Sequence, residues 1–187
     1  MQKLDAVNIA LTACNLPVAA SISPATSPVA EQASLLVDQL NRKHQARGWW
    51  FNYSLKYTYT PDGSGNIAIA STILSVQPWD QEKIYAIRDG QLYDMGNNTN
   101  VFSGNVDVTQ ITLIDFDDAP PVWQEYIAYE AALQLHQKVR GDSGSSRTVL
   151  QERDRAWSTV NSQDTRARKR NIRYSHNYWR SVKKYRD

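Results

Sequence analysis

The change of hydrophobic period along the chain is the feature that most restricts its fold. From Trp49 to Thr60, apolar and aromatic residues occupy the odd positions and polar residues the even positions after Trp50. This period of two is typical of a half-buried β-strand. The stretches on either side repeat their apolar residues every three or four positions, which indicates helices. The chain is therefore predicted to be an α+β protein with helices at both ends and strands in the middle.

Two helices are predicted before the alternating segment and two after it, over about 6–15, 29–47, 121–140 and 147–166. Asp5 is expected to be the first N-cap, and Asn15 tolerates the left-handed conformation at the end of that helix. The last three helices are predicted to have one apolar face each. These faces consist of Ala33, Leu36, Val37 and Leu40; of Val122, Tyr126, Tyr129 and Leu133, flanked by Trp123 and Ile127; and of Leu150, Arg153, Trp157 and Val160.

The middle of the chain is predicted to form a small antiparallel sandwich, because no long helix separates its strands. Further strands are expected over 67–71, 84–88, 91–94 and 106–116, and Asp89-Gly90 fits a two-residue hairpin turn. The predicted organisation is a helical bundle from residues 1–48 and 119–165, an inserted β domain from 49–118, and an extended basic arm from 166–187.

Charge is segregated along the 187 residues, although the formal net charge is only +2. Nine basic residues and one acidic residue lie between Arg166 and Asp187, so this segment carries +8, whereas the other 12 basic and 18 acidic residues give −6.

The chain also has 6 Trp, 10 Tyr and 3 Phe, which favours flat, amphipathic contact surfaces. The single Cys14 cannot form an intramolecular disulfide and is predicted to be a buried apolar residue.

Several short motifs occur in a fixed order: Ala6-Val7-Asn8, Pro17-Val18, Leu40-Asn41-Arg42, Arg47-Gly48-Trp49-Trp50-Phe51-Asn52, Asp89-Gly90-Gln91-Leu92-Tyr93-Asp94, Ala119-Pro120-Pro121 and Leu150-Gln151-Glu152. In this order and spacing they resemble the tail tubular protein A family, the head-to-tail adaptors of short-tailed phages (podoviruses). The resemblance covers roughly residues 5–160 and is most specific at residues 47–52. One departure is Asn15, where the family commonly has Gly.

The resemblance implies a structural protein without catalytic turnover, cofactor or metal. Such proteins form a ring of twelve copies between the portal of the capsid and a tail nozzle of the tail tubular protein B type, and genome DNA passes through the ring without sequence-specific binding. The expected location is the neck or tail of the virion, with host cytoplasm as the site of assembly, and no membrane partner is implied.

The segment from Arg47 to Asn52 is both the most specific motif and a possible interface between subunits. The odd-numbered residues of the adjoining strand are expected to be buried within the subunit, so Trp50, on the opposite face, is the better interface candidate. Arg47 is expected either to pair with a carboxylate or to remain a solvated helix terminus. Asp115, Asp117 and Asp118 are candidates for an acidic surface facing the DNA channel, or they complement the dipole of the following helix.

The basic arm mixes cationic and aromatic side chains, and we favour a role in gripping the portal or a neighbouring subunit. The candidate residues are Arg166, Arg168, Lys169, Arg170, Arg173, Tyr174, Tyr178, Trp179, Arg180, Lys183, Lys184 and Tyr185. The same composition suits nucleic-acid binding through base stacking and phosphate contacts, which is the alternative function. A simply solvated terminus is the third possibility.

A cell-wall hydrolase is a weaker alternative, in which Asp115 or Asp117 would act with Glu125 or Glu130. Nothing in the sequence places any such pair at a catalytic separation. His44, His136 and His176 are scattered without the spacing of metal ligands. No phosphate loop, dinucleotide fingerprint or nucleophile elbow occurs in the chain.

Overall fold

The computed structural model describes residues 1–23, 27–80, 83–141 and 146–172, with the side chains of the last segment described over 147–168. The chain divides into two compact units. Of the described residues, those of 1–40 and 119–172 form the helical unit, and those of 41–118 form the sheet unit. The helices are α1 (Lys3–Ala13), α2 (Pro28–Gln45), α3 (Pro121–Arg140) and α4 (Ser146–Ile172). The α+β prediction is confirmed by these helices and by the small antiparallel sheets described below.

Helix α1 ends as the sequence predicts but begins differently. Asn15 follows it with a φ of 54°, and the Asn15 amide donates to the Thr12 carbonyl at 2.9 Å. The predicted N-cap, Asp5, lies inside the first turn instead, where its carboxylate accepts a 2.9 Å hydrogen bond from the Gln2 amide. The prediction that Asp5 is the N-cap was therefore wrong, because Gln2 takes that position and Asp5 closes the reciprocal side of a capping box.

The core of the helical unit centres on α3, which packs against both α1 and α4. Trp123 and Ile127 are completely buried, whereas Val122 and Tyr129 of the predicted face are only half-buried. The predicted face was too narrow, because a helix with neighbours on two sides buries more than one stripe. Buried α3 residues are Trp123, Gln124, Tyr126, Ile127, Ala128, Ala131, Ala132, Leu133, Leu135 and His136.

Helices α3 and α4 are joined by a row of aromatic contacts. The ring of Tyr126 lies 5.8 Å from that of Trp123 and 4.8 Å from that of Trp157. Val160 is fully buried as predicted, but Leu150 is 38% exposed and does not belong to the buried stripe. Burial raises the pKa of Tyr126, so its hydroxyl stays protonated over the ordinary pH range.

Helix α4 continues beyond the limit predicted for it. It has 27 residues, α3 has 20, and Arg153 and Trp157 of α4 lie against Glu130 and Tyr126 of α3 in antiparallel order. The difference in length between α4 and α3 corresponds to about 10 Å at 1.5 Å per residue. The start of the arm therefore continues this helix through Ile172, and the predicted helix end at Arg166 was wrong. The remaining arm, 173–187, lies outside the described residues.

The sheet unit contains β1 (Tyr53–Tyr59), β2 (Ile73–Pro78), β3 (Tyr85–Arg88), β4 (Gln91–Asp94) and β5 (Val106–Thr112). A three-stranded antiparallel sheet has the order β1-β5-β2, and β3 pairs with β4 as a hairpin. Residues 67–71 form only an isolated bridge from Ala68 to Gln91 rather than the predicted strand, and β2 was not predicted. Asp89 and Gly90 join β3 to β4 with φ of 50° and 72°, as expected for their turn.

The two sheets enclose one hydrophobic cluster within the sheet unit. Val76, Val106 and Val108 from the larger sheet pack with Leu92 of the hairpin and with Ile67 and Ile69. Tyr59, Ile73, Tyr85 and Phe102 cover its rim. In the hairpin, Leu92 lies in this cluster, whereas Arg88, Tyr93 and Met95 contact one another.

The odd residues of β1 are not a buried row, so that prediction was wrong. Tyr53 is 39% exposed, and Leu55 and Tyr57 are each 45% exposed. The register with β5 shifts between Ser54 and Tyr57, so two residues of β1 oppose one residue of β5. Such a bulge interrupts the alternation of faces. In addition, β1 is an edge strand, which leaves it less covered than β5.

Candidate functional site

The segment that follows α2 makes a tight turn that only glycine fits. Gly48 has a φ of 76°, and a Cβ atom there would lie 3.0 Å from Ile111 Cδ1 and 3.2 Å from Tyr53 Cδ2. Both the backbone conformation and the close packing therefore favour glycine. This explains physically why Gly48 stands inside the most specific motif of the chain.

Asn52 holds this turn closed. Its side-chain oxygen accepts a 2.7 Å hydrogen bond from the Trp49 amide, and its nitrogen donates to the Gln45 carbonyl at 3.1 Å. Its own carbonyl accepts from the Thr112 amide at 2.9 Å. Asn52 is 4% exposed, so these bonds satisfy a polar side chain inside the protein. Asn52 therefore connects the end of α2 to the end of β5.

Gln45 makes the second connection, between the last turn of α2 and the segment after β5. Its side-chain nitrogen donates to the Ile114 carbonyl at 2.7 Å, and its oxygen accepts from the Ile114 amide at 2.8 Å. This two-bond pairing resembles the pairing between neighbouring strands. Asn41 adds a 3.0 Å bond to the same carbonyl. The residues Asn41, Gln45, Asn52 and Ile114, which we term the junction network, join the points where the chain enters and leaves the sheet unit.

The aromatic residues of the junction divide into core and half-exposed positions. Trp49 is 1% exposed and its indole nitrogen donates to the His44 carbonyl at 2.7 Å, so it is a core residue, as expected. Arg47 lies over the Trp49 ring, 4.8 Å from its centroid, a contact that the sequence did not suggest. Trp50 is half-buried and packs edge to face on Phe51 at 5.1 Å. The interface role of Trp50 stays a prediction.

Gln45 and Ile114 were not singled out from the sequence. A signal was present, because Asn41 and Gln45 continue the buried positions Ala33 and Val37 of α2 at a spacing of four residues. Polar side chains on an otherwise buried stripe indicate specific hydrogen-bond partners. The partner itself is 69 residues away and leaves no local trace.

The acidic cluster forms a short turn at the end of the sheet unit. Asp115, Asp117 and Asp118 are all exposed, and a 3-10 helix spans Phe116–Asp118. The Asp118 amide donates to the Asp115 carbonyl at 3.1 Å, while the buried Phe116 fixes the turn. The three carboxylates are therefore presented to solvent, and their orientation toward a DNA channel remains a prediction.

Only the first part of the basic arm lies in the described region. Arg166 and Arg168 are exposed on α4, and Arg168 pairs with the buried carboxylate of Asp164 at 2.9 Å. Lys169 and Arg170 belong to α4, but their side chains are outside the described set. The other candidates are outside the described residues altogether: Arg173, Tyr174, Tyr178, Trp179, Arg180, Lys183, Lys184 and Tyr185.

Within the described parts of the chain, no group of three or more His, Cys, Asp or Glu residues is arranged to hold a metal ion. Cys14 is completely buried, and burial raises the pKa of its thiol, which disfavours the nucleophilic thiolate. None of the described helices is long and apolar enough to span a bilayer.

The junction network is structural in character, since its buried amides bond to backbone groups and to one another. The chain thus forms two units, and its most specific motif, residues 47–52, holds the connection between α2 and β1 in place. A model of the tail tubular protein family matches residues 4–171, so the chain belongs to the tail tubular proteins, structural components of phage tails. It is also 27% identical to "Tail tubular protein A" of Klebsiella phage KP34 over 175 residues, which cover 94% of this chain and 91% of that protein.

Proposed function

We propose that this protein is the head-to-tail adaptor of a short-tailed phage. In this role twelve copies form a ring that joins the portal to the tail nozzle, and genome DNA passes through the ring. The family match over residues 4–171 carries the proposal, together with the name of the Klebsiella phage relative. The ordered motifs of the sequence support the same role.

A ring requires head-to-tail contacts in which each subunit uses two different surfaces. Trp50 and Phe51 supply a half-buried aromatic pair suited to such a contact, because aromatic residues are enriched at the centres of interfaces. The rigid turn around Gly48 and Asn52 would hold this pair in a fixed position on each subunit.

The acidic turn suits a surface near passing DNA. Asp115, Asp117 and Asp118 are exposed, and a surface that carries negative charge would repel phosphates. A channel that repels phosphates lets DNA slide without holding it. The negative charge of the chain before residue 166 supports the same arrangement.

The basic arm is proposed to grip the portal or the neighbouring subunit. Helix α4 continues through Ile172, so the arm begins on a helix rather than on an extended chain. Arg168 is fixed by Asp164, and Arg166 is exposed on the same segment. Charged side chains next to aromatic anchors fit an acidic protein surface.

Electron microscopy of the protein mixed with its portal protein tests the proposal. The expected result is a closed ring on the portal for the full chain, and loss of attachment after deletion of 173–187, which retains all of α4. Absence of a ring with the full chain would contradict the adaptor role. Normal attachment of the truncated chain would contradict the proposed role of residues 173–187 of the arm.

A matched pair of arm variants separates the adaptor from the nucleic-acid alternative. One variant replaces the aromatic residues Tyr174, Tyr178, Trp179 and Tyr185 with Ser and keeps the charge. The other replaces Arg173, Arg180, Lys183 and Lys184 with Gln and keeps the rings. The adaptor predicts that both changes weaken portal attachment, whereas strong, salt-sensitive DNA affinity lost in the charge variant would favour nucleic-acid binding.

A further inference from the structure

A cleft of about 410 Å³ lies within the sheet unit, lined by the end of β2, by the β3-β4 hairpin and by the segment that leads into β5. Its volume falls within the range of roughly 300 to 1,000 Å³ that is usual for binding sites. The walls include three aromatic rings and three carboxylates, which belong to Trp79, Tyr85 and Phe102 and to Asp80, Asp94 and Asp107. The cleft therefore combines flat apolar surface with negative charge.

The charged groups of this cleft leave it negative overall. Lys83 also lines it, and Lys56 of β1 pairs with Asp107 at 2.8 Å. Three carboxylates and two lysines give a formal charge of −1. Asp80 is exposed, so its carboxylate is accessible to a partner. A partner that brings positive charge is therefore favoured over an anionic one, and passing DNA would not compete, because carboxylates repel phosphates.

Lys56 shows how a cation is held against this surface. Its ammonium contacts the Asp107 carboxylate and also lies 5.9 Å from the centroid of the Trp79 ring. A carboxylate and an aromatic face next to each other both attract a cation. Tyr85 and Phe102 add an edge-to-face pair of rings with centroids 5.9 Å apart. The cleft thus suits a segment in which basic and aromatic side chains alternate.

The arm of this chain has that composition. Its residues 173–187, which follow α4, comprise five basic, one acidic and four aromatic residues, so their formal charge is +4. Fully extended, fifteen residues span at most about 50 Å, which is enough to reach an adjacent molecule. Charge and ring content therefore match the arm to the cleft.

We propose that the cleft of one copy binds the arm of the neighbouring copy. Basic side chains of the arm would lie against the carboxylates, and its aromatic side chains would lie against the rings of the cleft. Such a contact uses two different surfaces of the chain and is therefore head to tail, as a ring requires. The inference rests on the proposed ring and selects the neighbouring subunit, rather than the portal, as the partner of the arm.

Photo-crosslinking in portal-bound rings of full-length chains tests the contact. In half of the chains the photoreactive amino acid p-benzoylphenylalanine replaces Trp179, and the other half are unmodified and isotopically labelled. Mass spectrometry then identifies the linked peptides and shows whether a link joins two copies. We expect links to peptides of labelled chains that contain Trp79, Asp80 or Phe102. The same replacement at Tyr185 provides a second probe position.

A matched pair of variants tests the charge of the cleft. Asp80→Asn removes a carboxylate that lines the cleft, whereas Asp89→Asn removes one from an exposed turn outside its lining. The yield of links should fall severalfold with Asp80→Asn, up to about the tenfold effect that one charge-assisted hydrogen bond has on an equilibrium. Asp89→Asn should leave the yield unchanged. Equal yields in the two variants would overturn the proposed charge pairing.

The outcomes separate this contact from the adaptor role. If rings form but their links lead only to the portal, or only to the cleft of the same copy, the contact proposed here is wrong while the adaptor role stands. Rings that give no link to the cleft from either probe position would overturn it in the same way. If the unmodified protein forms no ring with its portal, the adaptor role itself fails.

Discussion

At the junction, buried side-chain amides make the kind of paired hydrogen bonds that backbone groups make between the strands of a sheet. Gln45 is completely buried and satisfies both the amide and the carbonyl of Ile114. Asn41 and Asn52 add bonds around it, and an apolar residue in place of Gln45 would remove the bond to the Ile114 amide. The motif residues around Gly48 are therefore explained by folding.

Replacement of Gln45 by Leu should lower the free energy of unfolding by about 1 to 3 kcal/mol, because the Ile114 amide loses its partner, while the Ile114 carbonyl keeps its bond from Asn41. Urea denaturation followed by tryptophan fluorescence measures the change. Gln39→Leu, at an exposed position of the same helix, is the matched control and should stay within about 0.5 kcal/mol of the natural chain. Equal effects of both substitutions would contradict a specific role for Gln45.

The left-handed conformation of Asn15 gives a second prediction. With a φ of 54°, Asn15→Ala should destabilise the protein by roughly 1 to 2 kcal/mol, whereas Asn15→Gly should be close to neutral. Thermal unfolding of the two variants checks this order. An alanine variant as stable as the glycine variant would show that the turn does not require the left-handed conformation.

Asp94 gives a prediction for acidic pH. Hydrogen bonds, first from the Asn97 amide, hold the pKa of Asp94 below its ordinary value of 3.8. A carboxyl whose pKa is lower in the folded state stabilises the fold above its unfolded pKa and loses that contribution as the pH falls. Stability should therefore decrease below about pH 4, less steeply in Asp94→Asn than in the exposed control Asp89→Asn. Parallel pH profiles for the two variants would contradict this role.

At the scale of elements, the turns depend on glycine for two different reasons. Gly48 and Gly90 both have positive φ, but a Cβ at Gly90 would meet nothing within 4 Å, whereas one at Gly48 would press on Ile111 and Tyr53. Gly90→Ala should therefore cost roughly 1 to 2 kcal/mol from backbone strain alone. Gly48→Ala should cost more, and equal losses measured by urea denaturation would mean that Ile111 and Tyr53 move aside freely.

The helices, the hairpin and the strand β1 were largely predictable, whereas the burial of the odd-numbered residues of β1 was not. A 3.6-residue period and the Asp89-Gly90 pair are local signals, and the structure contains the elements that they predict. The bulge in β1 depends on its pairing with β5, which lies far along the chain, so the strict alternation suggested a continuous buried face. In the structure Tyr59 packs against the cluster, whereas Tyr53, Leu55 and Tyr57 are exposed. Pairing, rather than propensity, decides which residues of an edge strand are covered.

At the scale of the whole molecule, the junction network leads us to propose that a sheet unit able to fold by itself begins at residue 41. The sequence suggested a boundary at residue 49, but Asn41 and Gln45 make their long-range hydrogen bonds to Ile114, within the sheet unit. The fragment 41–118 should fold by itself, because it contains its own apolar cluster and its junction network. The fragment 49–118, which lacks Gln45, should be much less stable.

Dispersed amide resonances and a cooperative thermal transition for fragment 41–118 would support this boundary. If fragment 49–118 were equally stable, the boundary at residue 49 would describe the sheet unit better. Both fragments contain all five strands, so the comparison isolates the last turn of α2 and the junction network that it completes.

The sequence by itself determined the helices near both ends of the chain, the tight hairpin, the left-handed Asn15 and the separation of a basic arm from an acidic body. It could do so because periodicity, backbone preference and charge are local properties. Only the tertiary structure decided that Gln45 pairs with Ile114, that α4 continues past α3, and that β1 exposes its apolar side chains. Each of these depends on a partner distant in the chain, and only folding brings those partners within contact distance.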